Sequence, residues 1–179
     1  MGGCKMKEAL RYGLILSIIC LISGGLLAGV NILTKNKIFA QAQKEEEMAL
    51  KEVLPEADYF KEVKSDKETL YYLAYDKDKK LIGVAFKAKA KGYASLIETL
   101  VGMSLEGEIK TIKVISQNET PGLGAKITEA KFSNQFKDKK INELGQIQAI
   151  TGATISSRAV INSVKNKAEE IKESIKDVR

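Results

Sequence analysis

A chain of 179 residues with 29 lysines and arginines against 23 aspartates and glutamates has a formal net charge of +6. The basic side chains are interleaved with acidic ones and form no arginine-rich stripe, so nucleic-acid binding is not expected. There is no histidine, and the only cysteines are Cys4 and Cys20. This composition excludes histidine-based catalysis and histidine or cysteine-cluster metal sites. We therefore predict no catalytic residue and no metal, which leaves open redox chemistry supplied by a bound cofactor.

The first predicted element is a transmembrane helix. Residues 12–33 contain no charged side chain and are mostly apolar. At about 1.5 Å per residue, this run covers a hydrocarbon core of ~30 Å, and no clear cleavage site follows it. We expect an uncleaved single-pass anchor in the lipid bilayer of the inner (plasma) membrane. Residues 1–11 are expected to form a cytoplasmic tail, with the C-terminal domain on the extracytoplasmic side, although basic residues flank both ends of the span.

Small residues recur at a spacing of four within the predicted span. Such residues allow a second helix to pack closely. The spacing therefore predicts contacts with other membrane helices through one face, formed by Gly24, Gly25, Ala28 and Gly29.

A membrane-proximal helix and a first hairpin are expected next. Residues 34–54 have the composition of a helix that leaves the membrane, and Pro55 ends it. Residues 70–75 favour a strand, and residues 84–90 alternate apolar side chains with lysines. The alternation predicts a strand with one face buried and one face in water, paired with the preceding strand.

A second hairpin is predicted from residues 95–104 and 108–116. Residues 125–136 favour a helix. A final amphipathic helix begins near Ile155 and runs almost to the C-terminus, because apolar residues recur there at three- and four-residue spacing. The predicted fold class is α+β, with the domain at residues 55–179 built on a mostly antiparallel sheet with flanking helices.

The loop Glu119–Gly124 is the first candidate for chemistry. Its Pro-Gly pair is an ordinary turn signal, and Gly124 alone would suit a corner between a strand and a helix. The functional alternative is a loop whose glycines let a planar ring lie on the backbone. Leu123 would then be an apolar contact, and Glu119 and Thr120 polar ones.

The segment 151–157, Thr-Gly-Ala-Thr-Ile-Ser-Ser, is the second candidate. An ordinary helix N-cap needs one hydroxyl, contributes ~1 kcal/mol and requires no ligand. Gly152 and Ala153 leave room for a bulky group, and the free N–H groups at a helix start favour an anion. More hydroxyls than one cap needs therefore favour a phosphate site: Thr151, Thr154, Ser156 and Ser157.

Together the two loops resemble a known family. Glu-Thr-Pro-Gly-Leu-Gly at 119–124 and Thr-Gly-Ala-Thr at 151–154 resemble the FMN-binding domain of RnfG, the G subunit of the Rnf electron transport complex, and of its relative NqrC, from the sodium-pumping NADH:quinone oxidoreductase. Lys-Gly-Tyr at 91–93 and Val-Gly-Met at 101–103 fit the same pattern, as does the single N-terminal span. The resemblance covers nearly the whole chain, and the short length favours the Rnf protein.

The resemblance implies a covalent cofactor. In that family a separate flavin transferase, with FAD as donor, attaches FMN through its phosphate to the last threonine of the motif, which here is Thr154. The neighbouring hydroxyls would bind the phosphate, and the loop 119–124 would contact the flavin. Family members usually carry aspartate three residues before the motif. Gln148 occupies that position here, so attachment is expected to be slower if the transferase recognises the carboxylate.

The implied function is that of a membrane-anchored electron-transfer subunit. It would belong to an Rnf-type ferredoxin:NAD oxidoreductase complex coupled to H⁺ or Na⁺ translocation, with no stand-alone catalytic activity. Its partners would be the other membrane and redox subunits and the flavin transferase. Two alternatives stay open: a flavinylated carrier for another extracytoplasmic reductase, and an anchored binding or scaffold module in which residues 151–157 only cap a helix.

Overall fold

The computed structural model describes residues 2–65 and 68–175. The chain divides into two compact units, Met1–Glu45 and Glu46–Arg179. The first helix, α1, is continuous over Gly2–Val53. Its segment Leu10–Lys35 has a mean hydropathy of 2.3 in its most apolar window and is long and apolar enough to cross a membrane. None of that window is buried against the described residues.

The second unit contains a six-stranded sheet in which the strands follow chain order and every neighbouring pair is antiparallel. Both predicted hairpins are present, and the middle strands of the two hairpins also pair with each other. The predicted α+β class is confirmed. The strands are β1 (Tyr59–Ser65), β2 (Glu68–Tyr75), β3 (Leu81–Lys91), β4 (Leu96–Ser104), β5 (Glu108–Ser116) and β6 (Lys139–Lys140).

One face of the sheet packs against the last helix, α3 (Thr154–Ser174). This face carries large buried side chains, among them Phe86 and Met103. Full burial of each such side chain contributes about 1.5–3 kcal/mol, so this layer supplies most of the core. The helix contributes the predicted apolar stripe: Val160, Val164, Ala168 and Ile171. The predicted continuation of this helix beyond residue 175 lies outside the described residues.

The opposite face of the sheet is covered by the end of α1. Leu50 and Val53 pack there against Ala85 and Leu100, all of them buried. The prediction that one face of the strand at residues 84–90 lies in water is therefore wrong at Ala85, which is buried, and right at Lys89, which is exposed. Gly102 allows this close approach, because a Cβ at that position would collide with the Val53 carbonyl oxygen.

The helix predicted at residues 125–136 is broken into three short pieces. Two 3-10 turns, Gly124–Thr128 and Asn134–Phe136, flank a four-residue helix, α2 (Ala130–Ser133). A continuous helix would place residues 127 and 132 about 140° apart around its axis. Glu129 instead has an extended backbone, with φ −73° and ψ 144°. This break allows Ile127, Phe132 and Phe136 all to reach the core.

Candidate functional site

A cleft of about 400 Å³ lies where three segments meet: the turn after β3, the loop at residues 119–124 and the N-terminus of α3. This volume is in the ordinary range for small-molecule sites. Of the predicted site residues, Thr151 and Ser157 do not line the cleft. Tyr93 and Ile155, which were not predicted, do line it. The remaining residues that line the cleft were all predicted: Glu119, Thr120, Leu123, Gly124, Gly152, Ala153, Thr154 and Ser156.

The N-terminus of α3 is open on the side of the cleft. The helix begins at Thr154, and its N-cap residue, Ala153, has no side-chain oxygen. No side chain caps the helix, although four hydroxyls are close by in sequence. Because the first N–H groups of a helix have no partner within it, this end of α3 can bind an anion. The side chain of Thr154 is exposed at the same place.

Ser157 has a structural role behind the cleft. It is fully buried, and its hydroxyl accepts a hydrogen bond from the Ile150 backbone N–H at 3.1 Å and donates one to the Ala153 carbonyl at 2.8 Å. These bonds fix the turn that leads into the helix. Gly152 lies in that turn with φ +80°, in the left-handed region that favours glycine.

Glu119 joins the three segments that form the cleft. It is 5% exposed. Its Oε1 accepts hydrogen bonds from the backbone N–H groups of Ala94 at 3.1 Å and Ser95 at 2.9 Å, and from the Ser95 hydroxyl at 3.1 Å. Its Oε2 accepts from the Tyr93 N–H at 3.2 Å and from the Ser156 hydroxyl at 2.6 Å. One carboxylate therefore holds the turn after β3, its own loop and the first turn of α3 together.

The glycines on either side of Glu119 make this burial possible. A Cβ at Gly92 would lie 2.5 Å from Oε1, and a Cβ at Gly124 would lie 2.8 Å from Oε2. Burial raises the pKa of the Glu119 carboxyl, but the hydrogen bonds from Ser156, Ser95 and Ala94 lower it by more, so its pKa lies below the ordinary value. The group is thus an anion at neutral pH.

Apolar side chains form the outer rim of the cleft. Tyr93 is 71% exposed, and Leu123 and Ile155 are about half exposed. Exposed apolar groups around a cleft are typical of a binding site. Sequence reasoning included Tyr93 only as part of a motif and missed Ile155, because a single apolar residue in a helix gives no sign that it faces outward.

Gln148 lies outside this cleft. It lines a neighbouring cavity of about 350 Å³, together with Thr151 and Gln135. Its backbone N–H donates to the Gln135 side-chain oxygen at 2.9 Å, and its carbonyl accepts from the Gln135 amide at 3.3 Å. These bonds hold the backbone that leads to the segment 151–157, and the Gln148 side chain is exposed.

Comparison with known proteins identifies the family. Residues 92–169 match the family model for the FMN-binding domain, and residues 1–53 match that for the RnfG N-terminal region. The chain is 37% identical over 166 residues to the G subunit of the proton-translocating ferredoxin:NAD(+) oxidoreductase complex of Clostridium ljungdahlii, covering 87% of this chain and 88% of that protein. It is 34% identical over 195 residues to the G subunit of the ion-translocating oxidoreductase complex of Haemophilus influenzae, covering 94% of this chain and 91% of that protein.

A solved structure shows the same fold. NqrC of Shewanella oneidensis aligns with a TM-score of 0.50 over 68% of this chain and 74% of that chain, at 19% identity. Similarity at that identity concerns the fold alone, whereas the matches to the two G subunits extend over most of both sequences. The chain therefore belongs to the family of G subunits of ion-translocating oxidoreductase complexes and contains that family's FMN-binding domain at residues 92–169.

Proposed function

We propose that this chain is the membrane-anchored, FMN-carrying electron-transfer subunit of an Rnf-type complex. Such a complex moves electrons between ferredoxin and NAD and couples them to H⁺ or Na⁺ translocation. The observation that carries the proposal is the cleft at the uncapped N-terminus of α3, which lies inside the matched FMN-binding domain. The name of the Clostridium ljungdahlii relative supports the reaction.

The residues of the cleft fit FMN. The uncapped N–H groups of α3 suit its phosphate, because a helix N-terminus favours an anion. We propose that the phosphate is joined to the exposed hydroxyl of Thr154 as a phosphoester, made by a separate flavin transferase. The phosphodiester retains one negative charge at the helix start. No histidine or other base of this chain is then needed for the attachment.

The hydroxyls near Thr154 divide into two groups. Thr151 is exposed but lines the neighbouring cavity rather than the cleft, so it is not assigned to the phosphate. The hydroxyl protons of Ser156 and Ser157 are donated to Glu119 and to the Ala153 carbonyl. A hydroxyl has one proton, so these two serines are proposed to contribute by holding the cleft in shape.

The apolar rim is proposed to hold the flavin ring. Bound FMN supplies an electron-accepting ring, and this chain positions it. Tyr93, Leu123 and Ile155 provide apolar surface at the mouth of the cleft, where a redox partner can approach. The other membrane and redox subunits of the complex are the proposed partners, and the chain has no activity by itself.

The proposed topology places the cleft outside the cytoplasm. Residues 12–33 span the inner membrane, residues 1–11 form a cytoplasmic tail, and the domain that follows residue 54 is extracytoplasmic. The apolar segment Leu10–Lys35 supports the span. A covalent bond suits a carrier on that side, because FMN that dissociated there would be lost to the cell.

Comparison of two threonine variants tests the attachment. The full chain is produced with a flavin transferase, purified in detergent, denatured and weighed as an intact protein. Thr154→Ala is expected to lose the flavin mass and the yellow colour, whereas the matched control Thr151→Ala is expected to keep both. Circular dichroism checks that both variants are folded. A Thr154→Ala protein that keeps the adduct would place the bond elsewhere.

The same preparation separates the alternatives. A wild-type protein that is colourless after production with the transferase would favour the scaffold hypothesis. That hypothesis has less support, because none of the clustered hydroxyls caps α3. A flavinylated protein that exchanges electrons with another extracytoplasmic reductase, and not with Rnf-type subunits, would favour the alternative carrier.

A further inference from the structure

Glu119 is the one buried acidic side chain among the described residues. We propose that it helps to set the reduction potential of the flavin: its fixed negative charge in the wall of the cleft holds that potential lower than a neutral side chain would. This inference rests on the proposed function, because it requires a flavin in the cleft. It assigns an electrostatic role to a residue that also positions the cleft walls.

The charge of Glu119 is stabilised without being neutralised. None of the salt bridges found among the described residues includes this carboxylate. Its five hydrogen-bond donors are three backbone N–H groups and two hydroxyls, all of them uncharged. They favour the ionised form, as the lowered pKa reflects. A full negative charge therefore remains at this point of the wall.

The carboxylate and the proposed attachment site line the same cleft. Oε2 lies 2.6 Å from the hydroxyl of Ser156, which is two residues after Thr154 in the same helical turn. Glu119 and Thr154 both line the cleft. A flavin joined to Thr154 and lying in the cleft would therefore lie along a wall that includes the charge.

Protein atoms surround most of the Glu119 side chain. Gly92 and Gly124 approach the carboxylate so closely that neither has room for a Cβ, and the side chain is almost fully buried. The effective dielectric constant at such a site is lower than in water, so the field of the charge is less screened than in bulk solvent. Reduction adds electron density to the flavin, and a fixed negative charge nearby opposes it. Nearby charge is a recognised means by which a protein tunes a flavin.

Three variants of the full-length flavinylated protein test the inference, with the midpoint potential measured by spectroelectrochemical titration. Glu119→Gln removes the charge with little change in volume. Glu173→Gln removes an exposed carboxylate that lies about 25 Å beyond Ser156 along the axis of α3. Ser95→Ala keeps the charge of Glu119 and removes one of its donors. The mass of each protein first confirms that the flavin is attached.

We expect Glu119→Gln to shift the midpoint potential to more positive values at neutral pH, and the control Glu173→Gln to stay at the wild-type value. Equal potentials in Glu119→Gln and Glu173→Gln would overturn the inference while the flavin mass still supports the proposed function. A wild-type protein without flavin would overturn both.

A pH series on Ser95→Ala keeps the test decisive if Glu119→Gln does not fold or does not retain the flavin. Loss of a donor raises the pKa of Glu119, so the carboxylate of this variant takes up a proton at a higher pH than in the wild type. We expect its potential to rise above the wild-type value as the pH is lowered. If the midpoint potentials of Ser95→Ala and wild type change with pH in the same way, the proposed role of the charge is contradicted.

Discussion

The two faces of the sheet are packed in different ways. The face toward α3 buries large side chains such as Phe86, Met103 and Ile112. The face toward the end of α1 buries small side chains, Ala74 and Ala85, beside two large ones, Tyr72 and Leu100. The large side chains fill the main core, whereas the small ones allow a helix backbone to lie directly on the strands. The α3 face therefore contributes most of the stability, and the α1 face provides close contact between the helix backbone and the strands.

Charged groups add to this difference. At the edge of the α1 face, Glu46 accepts a hydrogen bond from Tyr72 and pairs with Lys87, and Glu52 pairs with Lys113. Partly exposed pairs of this kind contribute about 0–1 kcal/mol each. On the α3 face the buried charge is Glu119, which lies at the cleft and has only neutral donors. The charged groups of the α1 face thus lie at its edge, whereas the buried charge of the α3 face lies at the cleft and holds its walls together.

The largest effect is expected from a cavity in the α3 face. Phe86 is completely buried at the centre of that layer, and truncation of a buried phenylalanine typically costs about 3–5 kcal/mol. Phe86→Ala should therefore lower the free energy of unfolding by that amount in a urea titration. A loss below about 1 kcal/mol would mean that the α3 face is not the main core.

A smaller loss is expected on the α1 face. Gly102→Ala places a methyl group against the Val53 carbonyl, and overpacking of this kind costs about 1–3 kcal/mol. The end of α1 should be displaced, which amide hydrogen exchange would detect as faster exchange at residues 49–53. Gly145→Ala serves as a control, because a Cβ there meets nothing within 4 Å. Unchanged exchange in Gly102→Ala would contradict the close packing.

The buried carboxylate predicts a dependence of stability on pH. The pKa of Glu119 is lowered in the folded protein, so its contribution is complete above the unfolded pKa, near 4.5. That contribution is lost as the pH falls through the lower, folded value. Urea titrations below pH ~4.5 should therefore show a steeper acid loss for wild type than for Glu119→Gln. Some dependence on pH should remain in the variant, because the pKa of Glu46 is also lowered in the folded protein. Burial raises that pKa, but the hydrogen bonds from Lys87 and Tyr72 lower it by more.

The smallest effect is expected at Thr99, on the α3 face. Its hydroxyl is buried without a hydrogen-bond partner among the described residues. Thr99→Val removes that unsatisfied group and keeps the side-chain shape, so stability should stay equal or rise by up to about 1 kcal/mol. Thermal unfolding measures the change. A clear loss of stability would show that the hydroxyl has a partner, such as an ordered water.

Sequence patterns predicted the α3 face better than the α1 face. The stripe from Val160 to Ile171 and the alternation in β3 have the periods of a helix and of a strand, so α3 and both hairpins could be identified. The cover on the second face could not, because the end of α1 contacts distant strands, and much of the strand surface that it meets consists of alanines and a glycine. Small residues give a weak hydrophobic signal, and β1 was missed for a similar reason, since lysines and glutamates interrupt its apolar residues.

The candidate site was predicted in part. The motif residues identified Thr154 and the loop 119–124, and the structure brings them to one cleft. The role of Glu119 was not visible, because three of its donors are backbone N–H groups. Main-chain donors cannot be recognised from the identity of the side chains in a sequence. The alternative in which a hydroxyl of residues 151–157 caps α3 could not be judged from the sequence for the same kind of reason: the N-cap position falls on Ala153, and only the backbone path decides which residue begins a helix.

Peptide mass mapping of the native protein tests the central proposal most directly. Trypsin cleaves after Lys140 and Arg158, so one peptide contains both the segment 151–157 and Gln148. We predict that this peptide, taken from the protein in its own membrane, carries the mass of one FMN less one water, and that fragmentation locates it on Thr154. The unmodified peptide as the sole species, or an adduct on another residue, would contradict Thr154 as the flavin anchor.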